Sequence, residues 1–248
     1  MERRRRPSKR RLTVLLACAA VPALLVAGCS GGSSGSSGSS TASASGSSAD
    51  DGSGKGGSAA PSATTTAPLA AARFQTLPSS CKTITKATIS DLVPKAKHSG
   101  GTATDTAGAS NTRSGCSWTG NGKDGYQYRW LSVSLERYDS SADLGAADLQ
   151  AHKQFTDQVA SAEKDAGTTA TGITGLGDEA RSISGWTIVS KVKSQNDSVV
   201  VRTGNVVVLV EYDGAGLEGK KNPSAKSVDS DAKRAAKDVV AAVAAANA

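Results

Sequence analysis

Hydrophobic positions along this chain fall into a continuous apolar run and a periodic region, separated by a segment with hardly any. Residues 12–28, LTVLLACAAVPALLVAG, are apolar on every side and show no period. Residues 30–77 are mostly Ser, Gly, Ala and Thr, with hardly an aliphatic side chain longer than Ala before Leu69. Beyond Leu77 the apolar positions alternate or recur at helical spacing, and Gly, Pro and Asn punctuate them. That last stretch of about 170 residues suits a single folded domain.

Within it the periods predict particular elements. Residues 84–95, ITKATISDLVPK, read as a short helix with Thr85 as N-cap, an apolar side of Ile89, Leu92 and Val93, and Pro94 as the stop. Residues 101–115 read as loop. Cys116 and Trp118 alternate onto one strand face, so Trp118 is expected to cover any bridge made by Cys116. Residues 126–138 alternate with Leu131, Val133 and Leu135 on one side, the pattern of a half-buried strand. Residues 140–167 predict a helix with Leu149, His152, Phe155, Val159 and Ala162 on its apolar side and Gly167 at its end. A strand is expected over 186–193. A hairpin is expected over 198–212, two valine runs around Thr203-Gly204-Asn205. The second run is apolar on both faces, which predicts a strand central in its sheet. The closing helix, 227–248, has a stripe of Val228, Ala232, Ala235, Ala236, Val239, Val240 and Val243. Helices flanking a strand meander, without βαβ alternation, predict an α+β fold: an antiparallel sheet with helices packed on one face.

The unpatterned segment cannot bury enough apolar surface to offset its ordering entropy, which predicts a disordered tether. At roughly 5–6 Å × √n its reach is about 35–42 Å. A Ser/Thr-rich glycosylated stalk fits the same composition. The apolar run before it follows a basic stretch with Arg3, Arg4, Arg5, Arg6, Lys9, Arg10 and Arg11, the layout of a secretory signal. At 17 residues including Pro22, the run falls short of the ~20 a spanning helix needs. Its exit, Val26-Ala27-Gly28-Cys29, resembles the bacterial lipobox, whose cysteine sulfur receives a diacylglyceryl group before cleavage on its N-terminal side. This resemblance implies a signal over 1–28, a lipidated Cys29 with a tether over 29–77, and an extracytoplasmic domain over 78–248. Two acyl chains at about 0.8 kcal/mol per methylene would hold such a chain firmly on the outer face of the cytoplasmic membrane, exposed to the cell wall layer. Lys9-Arg10-Arg11-Leu12 partly matches a twin-arginine signal, with the general route as the default.

Processing of that kind changes the charge argument. The whole chain carries +7. Residues 1–28 hold seven basic residues against Glu2, or +6, and residues 29–248 hold 22 basic against 21 acidic, or +1. The excess leaves with the signal, so nucleic acid is not expected as a partner. Of the four cysteines, Cys18 lies in the signal and Cys29 takes lipid, which leaves Cys81 and Cys116 to pair outside the membrane.

Catalytic chemistry is hard to find. The two histidines, His98 and His152, lie near no G-x-S-x-G elbow, and no zinc ligand set or cofactor motif is evident. Gly172-Ile173-Thr174-Gly175-Leu176-Gly177 leads to Asp178-Glu179-Ala180 and then a strand, not to a phosphate-binding helix. Asp178 and Glu179 read mainly as a turn entering a strand, with a partner- or ion-facing role as the alternative. Tyr126, Tyr128, Trp130 and Trp186 lie on or beside strands and read equally as core or as groove anchors.

Taken together, the lipobox, the Ser/Gly tether, Cys81 before a short helix, Cys116-x-Trp118, Gly175-Leu176-Gly177-Asp178-Glu179-Ala180 and Val201-Arg202-Thr203-Gly204-Asn205-Val206 resemble an actinobacterial secreted lipoprotein family of unknown function. They are also similar to the sensor domains outside actinobacterial Ser/Thr kinases. The resemblance covers residues 78–246 and implies a disulfide-bearing α+β domain with no established activity. The alanine-rich last helix and low aromatic content depart from it. The reading is a tethered binding or sensing module for an envelope protein or small ligand, and not an enzyme. A cell-envelope hydrolase and a purely structural envelope protein are the alternatives.

Overall fold

The computed structural model describes residues 69–104, 112–165, 167–189 and 191–248. The signal-like run, Cys29 and the tether through residue 68 lie outside the described residues. After a 3-10 turn at Ser80–Lys82, the elements are α1 (Lys86–Leu92), β1 (Thr102–Ala103), β2 (Arg113–Asn121), β3 (Gln127–Arg137), α2 (Ala147–Ala162), β4 (Thr169–Gly172), β5 (Glu179–Val189), β6 (Val192–Thr203), β7 (Val206–Gly216) and α3 (Ala225–Ala245). The strands form one sheet in the order β1-β2-β3-β7-β6-β5-β4, and every neighbouring pair is antiparallel. Two meanders, β1–β3 and β4–β7, therefore meet at the β3–β7 seam, with α2 as the connection between them. This is the α+β class the sequence predicts, and β7 is the central strand.

Alternation along β6 and β7 sorts the helices. Val199, Val201, Val206, Val208 and Val210 face the larger core with Leu131, Val133, Leu135 and the α3 residues Val228, Ala232, Ala235, Ala236, Val239 and Val243. Leu92 of α1 joins this cluster. Val200, Val207 and Ile183 point the other way, onto Ala151, Phe155 and Val159 of α2. The expectation of helices on one face thus holds for α1 and α3, while α2 packs on the opposite face. A strand run apolar on both sides needs a cover on both sides, and β7 has one there.

Several boundaries shift. The predicted loop over 101–115 includes β1 and the start of β2. The predicted strand over 186–193 is two strands: β5 ends at Val189 and β6 begins at Val192, with Lys191 at φ 68° between them. The β6–β7 turn is tighter than the tripeptide suggests. Thr203 pairs with Val206, which leaves Gly204 (φ 54°) and Asn205 as its two central residues. A glycine with positive φ at the first central position is the requirement of a type II′ turn, whose twist suits a hairpin. On α2, Leu149 is 65% exposed and Ala151 takes the buried position instead.

Two devices close the domain. Cys81 and Cys116 are bonded, tying the 3-10 turn to β2. Gly101 (φ 76°) crosses directly over this bridge, where a Cβ would lie 2.4 Å from Cys116 Sγ and 2.7 Å from the Trp118 ring, so only glycine fits. At the other end, Phe74 is buried, and the wholly buried Asn205 exchanges hydrogen bonds with its backbone: Phe74 N donates to Oδ1 at 2.7 Å and Nδ2 donates to Phe74 O at 2.9 Å. Residues 74–77, assigned to the tether by composition, therefore belong to the folded unit.

Candidate functional site

The face that carries α2 is only partly covered. Toward the Gly216 end of β7 the floor changes character: Val207 and Leu209 give way to Glu211, Asp213 and Ala215, and Val200 and Ser198 to Asn196 and Ser194. Cross-strand register sets these in rows. Trp130, Asp213, Asn196 and Gly185 lie side by side across β3, β7, β6 and β5, and beyond them Tyr128 pairs with Ala215 and Ser194 with Thr187. Gly185 apart, these residues line an open groove of about 640 Å³ together with Val192, Glu211 and Leu217. A second cavity of about 400 Å³ continues from it under the C-terminal end of α2, sharing Thr187, Asn196 and Glu211. A volume of this size, with an aromatic wall and a few polar groups, is that of a small-molecule site.

Its electrostatics are one-sided. Glu211 and Asp213 stand in the groove wall and Asp165 in that of the continuation, and neither wall includes a lysine or arginine. Asp213 is 5% exposed. Among the described residues its one hydrogen-bond partner is Asn196, whose Nδ2 donates to Oδ1 at 3.1 Å, so Oδ2 is left for an occupant. Burial pushes the Asp213 carboxyl up to about 6; the Asn196 bond opposes this and the charge of Glu211 adds to it. Burial, then the nearby Asp213 charge, raises the Tyr128 phenol. Ser132 Oγ donates to Glu211 Oε2 at 3.1 Å.

The residues singled out from sequence divide among three places. Tyr128 and Trp130 are half-buried in the groove wall. Tyr126 and Trp186 are exposed aromatics that already carry an ammonium: Lys220 Nζ lies 4.7 Å from the Tyr126 ring centroid and Lys193 Nζ 4.2 Å from that of Trp186. Trp186 borders the second cavity along β5, but alternation turns its ring to the α3 face.

Asp178 and Glu179 sit at the far end of β5. Glu179 is eight positions from Thr187, about 26 Å at ~3.3 Å per residue. There they bind the β6–β7 turn. Asp178 Oδ2 accepts from Gly204 N at 2.6 Å, and Asp178 pairs with Arg73 and Arg202 at 3.7 and 3.4 Å. Glu179 Oε1 accepts from Arg202 Nε at 2.5 Å and lies 2.9 Å from His152 Nδ1 on α2. Burial works to raise Glu179, but the His152 and Arg202 hydrogen bonds outweigh it and hold its pKa below the usual value.

Sequence reasoning missed Asp213, Glu211 and Asn196. The signal was present: in VVVLVEYDGAG the two acids are two apart, hence on one face, directly after apolar residues of that same face.

A further polar cluster lies on the other face. Asp197 is fully buried, and the Ser182 hydroxyl lies 3.1 Å from both its oxygens and 2.6 Å from Asp229 Oδ1 of α3. Ser184 also donates to Asp197, and Lys233 pairs with Asp229 at 2.5 Å. With all members engaged, this cluster fastens the start of α3 to β5 and β6. Among the described residues, no group of His, Cys, Asp and Glu could hold a metal ion, and no helix is long and apolar enough to cross a membrane.

No family model matches the chain, and no curated protein does. A solved structure described as LpqN, involved in cell envelope biogenesis of Mycobacterium tuberculosis, is similar at 10% identity with a TM-score of 0.28, over 55% of this chain and 82% of that chain. A likeness at that level carries no argument about this protein. The family resemblance drawn from the motifs rests on those motifs alone.

Proposed function

We propose that this chain is a lipid-anchored, extracytoplasmic binding module and that the open sheet face beyond α2 is its binding site. The carrying observation is the groove of about 640 Å³, where half-buried Tyr128 and Trp130 flank a buried Asp213 with one carboxylate oxygen that has no partner among the described residues. Two half-buried aromatic rings beside an opening offer a stacking surface that a purely structural role leaves unused. The anchor rests on Val26-Ala27-Gly28-Cys29 and its basic, apolar prelude. The Cys81–Cys116 bridge supports an oxidising setting outside the cytoplasm.

The test is native mass spectrometry of the purified full chain after exposure to the low-mass fraction of an envelope extract. A bound adduct is expected on the wild type and lost in Trp130→Ala at unchanged melting temperature. The same spectra are expected to report diacylglyceryl on Cys29. An adduct retained in both Trp130→Ala and Tyr128→Ala would remove the groove from consideration, and an unmodified Cys29 in membrane-derived protein would remove the anchor.

A further inference from the structure

The chemistry of the groove narrows what it can hold. Among the described residues its walls present two carboxylates and two aromatic faces and include no cation. From every element around Asp213 the facing groups are neutral or acidic: Tyr128 and Trp130 from β3, Asn196 and Ser194 from β6, Gly185 and Thr187 from β5, and Glu211 on β7 itself. An anionic ligand meets repulsion on this floor. A neutral one without a donor covers Asp213 Oδ2 and leaves it unpaired, which is costly, and a neutral hydroxyl offers it only the weaker, uncharged hydrogen bond. A cation pairs the carboxylate and rests against ring faces, where aromatic quadrupoles attract it.

Elsewhere on the surface the protein's own side chains carry out this recognition. Tyr126 and Trp186, the two exposed aromatics outside the groove, each hold a lysine ammonium against the ring, at 4.7 and 4.2 Å from the centroid. Tyr128 and Trp130 have no such partner among the described residues. Val192, Ala215 and Leu217 line the same groove and accept an apolar body behind the charge.

We infer, resting on the binding reading above, that the groove selects organic cations, an ammonium on an apolar body, with Asp213 as the residue that sets the charge preference. The ammonium lies between Asp213 Oδ2 and the Trp130 ring, and its hydrocarbon part runs toward Val192 and Leu217. Because Asp213 titrates at about 6, the preference fades as pH falls through that value.

Three probes of one length separate the possibilities: hexylammonium, hexanol and hexanoate, titrated by calorimetry against the full chain in detergent at pH 7.5. Hexylammonium is expected to bind at least tenfold more tightly than hexanol, with hexanoate weakest. Asp213→Asn is expected to erase the difference between hexylammonium and hexanol while leaving hexanol binding in place, and Trp130→Ala to weaken both. At pH 5 the wild type is expected to behave like Asp213→Asn. Equal affinity for hexylammonium and hexanol, or a preference that survives Asp213→Asn, would overturn the inference. Binding of none of the three would also overturn it. The binding reading is judged apart from these outcomes, by the adduct at Trp130.

Discussion

Asn205 shows how much one side chain can organise. It occupies the second central position of the β6–β7 turn, where sequence reasoning assigned it a turn residue's role only. Its side-chain nitrogen Nδ2 also donates to Tyr138 O at 2.7 Å, and its backbone carbonyl accepts from Tyr138 N at 2.9 Å. With the two bonds to Phe74, the residue gathers the incoming chain, the end of β3 and the turn into one buried knot. No periodicity could reveal this, because its partners lie 131 and 67 residues away. Asn205→Ala leaves Phe74 and Tyr138 backbone groups unsatisfied at about 1–3 kcal/mol for each buried group. A loss of about 2–4 kcal/mol in urea unfolding is expected. A chain starting at residue 78 is expected to lose comparable stability relative to one starting at residue 69, since it lacks Phe74. Equal midpoints for the two lengths would show that residues 74–77 are mere tether after all.

At the scale of elements, legibility followed how strongly type and period agreed. Thr85 does cap α1, accepting from Thr88 N at 3.2 Å, and the α3 stripe is buried as read, apart from a half-buried Val240. The failures have physical causes. The β5–β6 turn was invisible because Lys191 carries its positive φ, and lysine sends no turn signal. On α2 a stripe through Leu149 and His152 fits 3.6-residue spacing as well as one through Ala147, Ala151, Phe155 and Val159. The small alanines win because they let the helix approach the β5–β7 floor closely. Leu149→Ala is therefore expected to change stability by less than about 0.5 kcal/mol, as at other surface positions. Phe155→Ala, by contrast, is expected to cost about 3–5 kcal/mol through the cavity it leaves. Thermal melts of the two variants decide the face, and similar losses for both would contradict it. The groove itself exists because α2 stops covering the sheet where β7 turns from Leu209 to Glu211. An aromatic and acidic floor there is a sequence-level change of face that the valine count conceals.

For the whole molecule, the balance of buried acids sets an unusual dependence on pH. Burial, the largest cause in each case, raises Asp197, Asp213 and Asp231. For Asp197 the Ser184 and Ser182 hydrogen bonds oppose that shift and the Asp229 charge adds to it. Glu179 moves the other way. A carboxyl whose folded pKa exceeds its unfolded one binds more protons in the folded state, so its contribution to stability falls as pH rises between the two values. For Asp213 the window runs from the ordinary 3.8 to about 6. Ionising it in place costs on the order of 2–3 kcal/mol by neutral pH, at 1.36 kcal/mol per pKa unit. Glu179, with its lowered pKa, contributes stability that is fully present above its ordinary 4.5 and is lost as pH falls from there through its folded value. The protein is therefore expected to melt at a higher temperature at pH 5 than at pH 7. Asp213→Asn is expected to raise the melting temperature at pH 7 and to change little at pH 4, where the native carboxyl is already protonated. Unlike Asp197, whose oxygens are engaged within the fold, Asp213 bears this cost with Oδ2 facing an opening, which fits a binding site. The matching observation is that an organic cation in the groove recovers the lost stability in the wild type and not in Asp213→Asn. If Asp213→Asn melts no higher than the wild type at pH 7, burial does not strain this carboxylate and both the stability and the binding arguments lose their common source.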